Sequence, residues 1–220
     1  MRIKELKIYS QDLQKQTDFY TKTIGLDLIE RSPHHVIFQI GESRLKIVKD
    51  ERFRPYHFAI NIPCNQESEA LQWLKERVEI LKDGNNEIQQ FDNWNAKAVY
   101  FYDADNNIVE FIARQNLRNE RFEDFGTDSL LEISEIGIPV NDISTAYNSL
   151  KNIAHLEIYD GEFERFCAIG DEHGLFICIN KKVKDWFPTG DIAHASEFEI
   201  KFRQNGSMYE LQFVEEEIKT

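Results

Sequence analysis

Ala98-Val99-Tyr100-Phe101-Tyr102, Asp103-Ala104-Asp105-Asn106-Asn107 and Ile108-Val109-Glu110-Phe111-Ile112-Ala113 read as two β-patterned runs around a five-residue turn. Aromatic and β-branched residues suit a pleated, half-buried strand, and Asp and Asn suit turns because their side chains bond nearby backbone. The turn begins like a calcium loop, but Ile108 stands at the required glycine position and Arg114 at the bidentate glutamate position, so it is read as a strand connection. Upstream, His57–Ile62 reads as a strand and Asn65 to Val78 as a helix with Ala70, Leu71 and Leu74 on one face. A third strand between them and Ala98 completes the order βαβββ. The same order fills the first fifty residues. Ile3 to Ser10 alternates, with Glu5, Lys7 and Tyr9 on one side and Leu6 and Ile8 on the other. Asp12 caps a helix that carries Leu13, Phe19, Tyr20 and Ile24 and is closed by Gly25. Asp27–Arg31, His35–Ile40 and Ser43–Lys49 follow as strands.

After a charged, poorly periodic linker at 116–129, the first half repeats in order. Ile3-Lys4-Glu5-Leu6-Lys7-Ile8 matches Ile133-Ser134-Glu135-Ile136-Gly137-Ile138 at an offset of 130 (133 − 3), and Asp12 matches Asp142. Ile40-Gly41-Glu42 matches Ile169-Gly170-Asp171, His57-Phe58-Ala59-Ile60 matches Glu197-Phe198-Glu199-Ile200, and Glu110-Phe111 matches Glu210-Leu211. The copy is short. His57 and Glu110 are 53 positions apart (110 − 57), whereas Glu197 and Glu210 are 13 apart (210 − 197), which leaves room only for a hairpin turned at Gln204-Asn205-Gly206-Ser207. The expected fold class is therefore α+β: paired βαβββ units in residues 1–115 forming a curved eight-stranded cup, then a truncated second module at 130–220.

Composition removes several functions. The chain has 220 residues, 41% of them hydrophobic, and 39 acidic against 26 basic side chains give a net charge of −13. Such a surface repels phosphate backbones and anionic lipid, so neither nucleic acid nor membrane is an expected partner. No apolar run approaches a membrane span, and Met1-Arg2-Ile3-Lys4-Glu5 lacks signal-peptide character. Cys64, Cys167 and Cys178 are odd in number and show no CxxC spacing, which suits buried thiols of a cytoplasmic protein. Dinucleotide, P-loop, serine-hydrolase and zincin signatures are absent.

Glu5, His57 and Glu110 remain, each on a strand of its own and the first two opposite the apolar face. One imidazole and two carboxylates suit Mn²⁺, Fe²⁺, Ni²⁺ or Zn²⁺ with positions left open for substrate. Spacing alone favours solvated strand-edge glutamates and a hydrogen-bonded core histidine.

The βαβββ order, Asp12-Leu13 before Phe19-Tyr20 and Ile24-Gly25-Leu26, and above all Tyr100 to Phe111 resemble the vicinal oxygen chelate superfamily of glyoxalases, bleomycin-resistance proteins and extradiol dioxygenases. The resemblance implies a cup in which a divalent metal binds vicinal oxygens of a small substrate. Carried over by position, the family's ligand sites fall on Glu5, Lys46, His57 and Glu110. Glu5 stands where histidine is usual and Lys46 where glyoxalases place a carboxylate, so metal identity, and metal binding itself, stay open. Two functions follow as expectations. One is a glyoxalase-like enzyme of lyase, isomerase or dioxygenase type using metal on Glu5, His57 and Glu110. The other is a metal-free protein that sequesters a small molecule with Lys7, Tyr9, Lys46 and Tyr100. Either would be a monomer or homodimer.

Overall fold

A computed structural model describes all 220 residues. Its strands lie in two sheets. The first βαβββ unit is β1 (Arg2–Ser10), α1 (Leu13–Asp18, continuing as a π-helical turn Phe19–Ile24), β2 (Leu28–Arg31), β3 (His35–Ile40) and β4 (Ser43–Lys49). The second is β5 (His57–Ile62), α2 (Glu67–Lys75), β6 (Ile80–Leu81), β7 (Gln89–Phe91), β8 (Ala96–Tyr102) and β9 (Ile108–Arg114). The third is β10 (Glu132–Val140), α3 (Ile143–Ala154), β11 (Ile158–Glu162), β12 (Phe166–Asp171) and β13 (Gly174–Asn180). The fourth has lost its helix and keeps β14 (Phe198–Gln204), β15 (Ser207–Val214) and β16 (Glu217–Lys219).

Local chemistry accounts for these elements. Asp12 accepts from the backbone N–H of Gln14 and Lys15, and Asp142 does the same for Ser144 and Thr145, so both repeats start their helix with one device. Asn205 (φ 50°) and Gly206 (φ 83°) supply the two left-handed residues of the tight β14–β15 turn. No helix is long and apolar enough to cross a membrane.

The α+β class, the paired units and the shortened repeat are as the sequence implies, but the units choose different partners. The seven-stranded sheet runs β16-β15-β14-β1-β4-β3-β2, and the nine-stranded sheet runs β11-β12-β13-β10-β5-β9-β8-β6, with β7 also on β8. The first unit thus joins the truncated fourth through an antiparallel β1–β14 ladder, and the second joins the third through β5–β10. Residues 1–115 do not close a cup by themselves. The helix-bearing faces of both sheets share one core, which includes Leu6, Phe58, Ile136 and Ile200. Ser43 ties the sheets at their meeting edge: its hydroxyl donates to Ile3 O (2.7 Å) and accepts from Ile133 N (3.0 Å).

The neighbouring β3–β4 turn is seated on the segment that leads into β10. Glu42 N donates to Leu131 O (2.8 Å), and Gly41 has φ 50° in a place where a Cβ would overlap that same carbonyl. Gly41→Ala is expected to destabilise by about 2 kcal/mol or more, lowering Tm by about 5 °C. A thermal melt with no shift would show that the turn is not held there.

Candidate metal centre

Pleating sorts the side chains of the nine-stranded sheet. Phe58, Ile60 and Ile62 of β5 and Val109 and Phe111 of β9 enter the shared core, which leaves His57, Ala59, Ile108, Glu110 and Ile112 for the concave face. On β10 both Ile133 and Ile136 enter the core, so simple alternation fails between them. The ladder to β5 shifts register at this point, between Ile133 and Glu135. This bulge delivers Glu135 to the concave side. Alanines at 59, 96, 98 and 168 leave room over that face, where a cavity of about 760 Å³ lies.

On the floor, His57, Glu110 and Glu135 each present a ligand atom within 4.8 Å of the others, and all three residues are buried. His57 Nε2 is 3.6 Å from Glu110 Oε2. Its Nδ1 lies 3.2 Å from the Ile108 carbonyl and donates to it, which assigns the proton to Nδ1 and turns the Nε2 lone pair toward the carboxylates. The Trp186 ring packs on the imidazole (4.9 Å between centroids). That seat requires Gly137, where a Cβ would come 2.5 Å from the indole. Arg114, fully buried at the end of β9, donates from Nη2 to Glu135 Oε1 and from Nε to Asn61 Oδ1 (3.2 Å). Its guanidinium lies 5.3 Å from the Trp94 ring centroid, and Nη1 has no partner.

The electrostatics follow from burial. Glu110 is held well above the usual carboxylate range, first by desolvation and then by repulsion from Glu135, with Arg114 pulling the other way. Glu135 is raised by desolvation and restrained by Arg114. Desolvation lowers His57 to about 4, so it is a neutral donor at pH 7. Burial and the neighbouring Glu110 keep the Tyr100 hydroxyl protonated, well above its ordinary value. Two carboxylates pressed together beside a free imidazole lone pair, with one guanidinium between them and neutrality, fit a divalent cation.

The family model of the Glyoxalase/Bleomycin resistance protein/Dioxygenase superfamily matches residues 2–111, half of the chain. The chain belongs to this superfamily. No curated protein matches the sequence. Among solved structures it is similar to a Bacillus subtilis protein assigned as a dioxygenase (15% identity, TM-score 0.63, 96% of this chain and 84% of that one). It is also similar to glyoxalase I from Zea mays (13% identity, TM-score 0.56, 80% of this chain and 66% of that one). At such identities the likeness is one of fold.

Within the superfamily's expected ligand set, the structure brings His57 and Glu110 together but not Glu5. Because β1 pairs with β14, Glu5 lies in the other sheet, where Lys201 reaches it (3.7 Å). Lys46 is in that sheet too, opposite Lys7, so it cannot compete for Glu110. Lys7 donates to Glu199 (2.6 Å) and the Tyr9 hydroxyl to the same carboxylate (3.4 Å). Of the expected ligand-binding side chains only Tyr100 lines the cavity. Glu135 takes the place assigned to Glu5. The repeat had already matched the two, but the cup it joins depends on strand pairing. Arg114, Trp94 and Trp186 carry no sequence signal that marks them for this site.

A neutral buried histidine sets a pH dependence. The unfolded chain protonates His57 near 6.5 while the folded chain resists down to about 4. Its contribution therefore falls as pH drops through that window, by up to about 3 kcal/mol. The raised carboxyls act oppositely, gaining folded-state stability as they protonate. Compared with the metal-free parent, metal-free His57→Gln is expected to become relatively more stable between pH 6.5 and 4. Parallel Tm-against-pH curves would contradict the buried neutral imidazole.

Proposed function

We propose that this superfamily member is a divalent-metal enzyme acting on a small molecule with two adjacent oxygen donors, bound in the cup of the nine-stranded sheet. The observation that carries this reading is the convergence of His57, Glu110 and Glu135 within 4.8 Å on the floor of the cavity. Mn²⁺, Fe²⁺, Ni²⁺ or Zn²⁺ suits one nitrogen and two oxygens, and when bound would act as a Lewis acid toward a carbonyl or enolate oxygen. The chain's own residues divide the remaining work. His57 is aimed by Ile108 O, and Arg114 fixes Glu135 in one orientation. Tyr100 keeps its proton and so can donate a hydrogen bond to a substrate oxygen, but cannot act as a base. Aromatic walls that include Phe91, Trp94, Phe166 and Trp186 suit a planar apolar body.

The second reading, a metal-free binding protein, draws on one observation. Arg114 and Tyr100 already engage the two carboxylates. Calorimetric titration with Mn²⁺ and Zn²⁺ separates the two. The parent and Glu5→Gln are expected to bind one ion alike, whereas Glu110→Gln and Glu135→Gln weaken binding by about 100-fold or more, at least what loss of an outer-shell partner costs. Absence of binding in the parent would leave the metal-free reading.

A further inference from the structure

The two halves of the chain differ in the segment that links their units. Residues 50–56 join β4 to β5, whereas residues 181–197 join β13 to β14, 7 residues against 17 (56 − 49 and 197 − 180). The longer link lies over the cavity, which Trp186 and Phe187 line. Within 185–192 the backbone hydrogen-bonds only to its own segment: Trp186 N donates to Asp191 O (2.9 Å) and Gly190 N to Trp186 O (2.7 Å). Side chains alone hold it to the sheet. The Trp186 indole sits on His57 in the space left by Gly137, and Phe187 meets Tyr100 and Phe91 edge-on (5.8 and 6.2 Å between centroids). The Tyr102 hydroxyl donates to Asp191 Oδ2. Trp186 is the only buried residue of the segment. Both flanks are anchored: Lys181 N donates to Val140 O (3.1 Å), Ser196 Oγ donates to Pro55 O (2.9 Å), and Ala193 is buried. A short stretch with no ladder bonds between fixed ends belongs to the least stable part of a fold.

We propose that residues 185–192 are a strap that gates the cavity, turning about its anchored flanks to lift Trp186 from the Gly137 seat and uncover His57, Glu110 and Glu135. The floor shows why a gate is needed. The side chains of these three residues are 7, 3 and 3% exposed, although they border a cavity of about 760 Å³. Donors so covered are reached by a molecule larger than water only after the cover moves. The structure is the closed form. Phe187, Asp191 and Ile192 are already exposed, so opening transfers chiefly one indole to water. Such a motion suits the lids that admit ligand and then seal a site. The inference rests on reading the cavity as a ligand site but does not require metal in it.

Acylation of histidines by diethyl pyrocarbonate, located by peptide mass spectrometry on the metal-free protein, reads the opening; exposed His34 is the internal standard. In the parent, His57 is expected to react about tenfold or more slower than His34. Tyr102→Phe removes one tether and should speed the His57 reaction about threefold, and Trp186→Ala about tenfold, with His34 unchanged in both. Tyr102→Phe deletes a single hydroxyl and keeps the test valid if loss of the indole disturbs folding. In the parent, the amides of Trp186 and Gly190 should also exchange with deuterium faster than those of β10 and β13. The gate is overturned by His57 reacting as fast as His34 in the parent, by no acceleration in either variant, or by strap amides exchanging no faster than β10. Calorimetry with Mn²⁺ on the same proteins separates the two claims. Accelerated His57 in proteins that bind no Mn²⁺ keeps the gate and removes the metal reading, whereas Mn²⁺ binding with any overturning result does the reverse.

Discussion

The site exists because the first strand of the second unit pairs with the first strand of the third. The antiparallel β5–β10 ladder sets Glu135 opposite Ala59, next to the β9 strand that carries Glu110, and no other pairing in the molecule brings a third donor to His57. Holding two buried carboxylates at close range is unfavourable unless something offsets their charge. Arg114 does so in part, and its burial is made possible by Asn61, Glu135 and the Trp94 ring. What Arg114 leaves uncompensated is the physical argument for a cation.

The two sheets show alternative solutions to the same problem. On the seven-stranded sheet, Glu5 corresponds to Glu135 in the repeat, and the β1–β14 register sets Glu199 opposite Lys7. Lysines fill that cup: Lys201 reaches both Glu5 and Glu210 (3.7 and 3.6 Å), and Lys7 reaches Glu199. With cations supplied by side chains, and with the fourth unit lacking its helix, this half has neither the charge imbalance nor the deep cavity of its counterpart. Arg44 and Lys46 of β4 stand on the same face, beside Glu5 and Lys7 in the β1–β4 register. The first and fourth units therefore serve mainly as the wall against which the other two pack.

Much of this architecture was legible in the sequence because it is local. Alternation located the long strands, Asp12 and Asp142 announced their helices, and Asn205-Gly206 announced the last hairpin. His57 stood out because it opposes an apolar face, and Glu110 because it ends the turn-and-strand run from Tyr100. Strand partnership is not local. Nothing in the spacing of Glu5 says whether β1 meets β5 or β14, and with four first strands available the choice is made by the shared core. Glu135 was visible as the repeat partner of Glu5, yet a period of two cannot show that a bulge turns it into the cup. Arg114 drew notice only as the residue that spoils a calcium loop. Its pairing with Glu135 spans 21 positions and arises only once the ladder forms.

The central claim is that the cation site lies at the junction of β5, β9 and β10. Anomalous diffraction from crystals of the parent soaked in Mn²⁺ tests it most directly. The account predicts one anomalous peak bounded by His57 Nε2, Glu110 and Glu135, with the Arg114 guanidinium still on the far side of Glu135. A peak beside Glu5 and Glu199 in the other sheet, or no ordered peak between His57 and the two glutamates at saturating Mn²⁺, would contradict it.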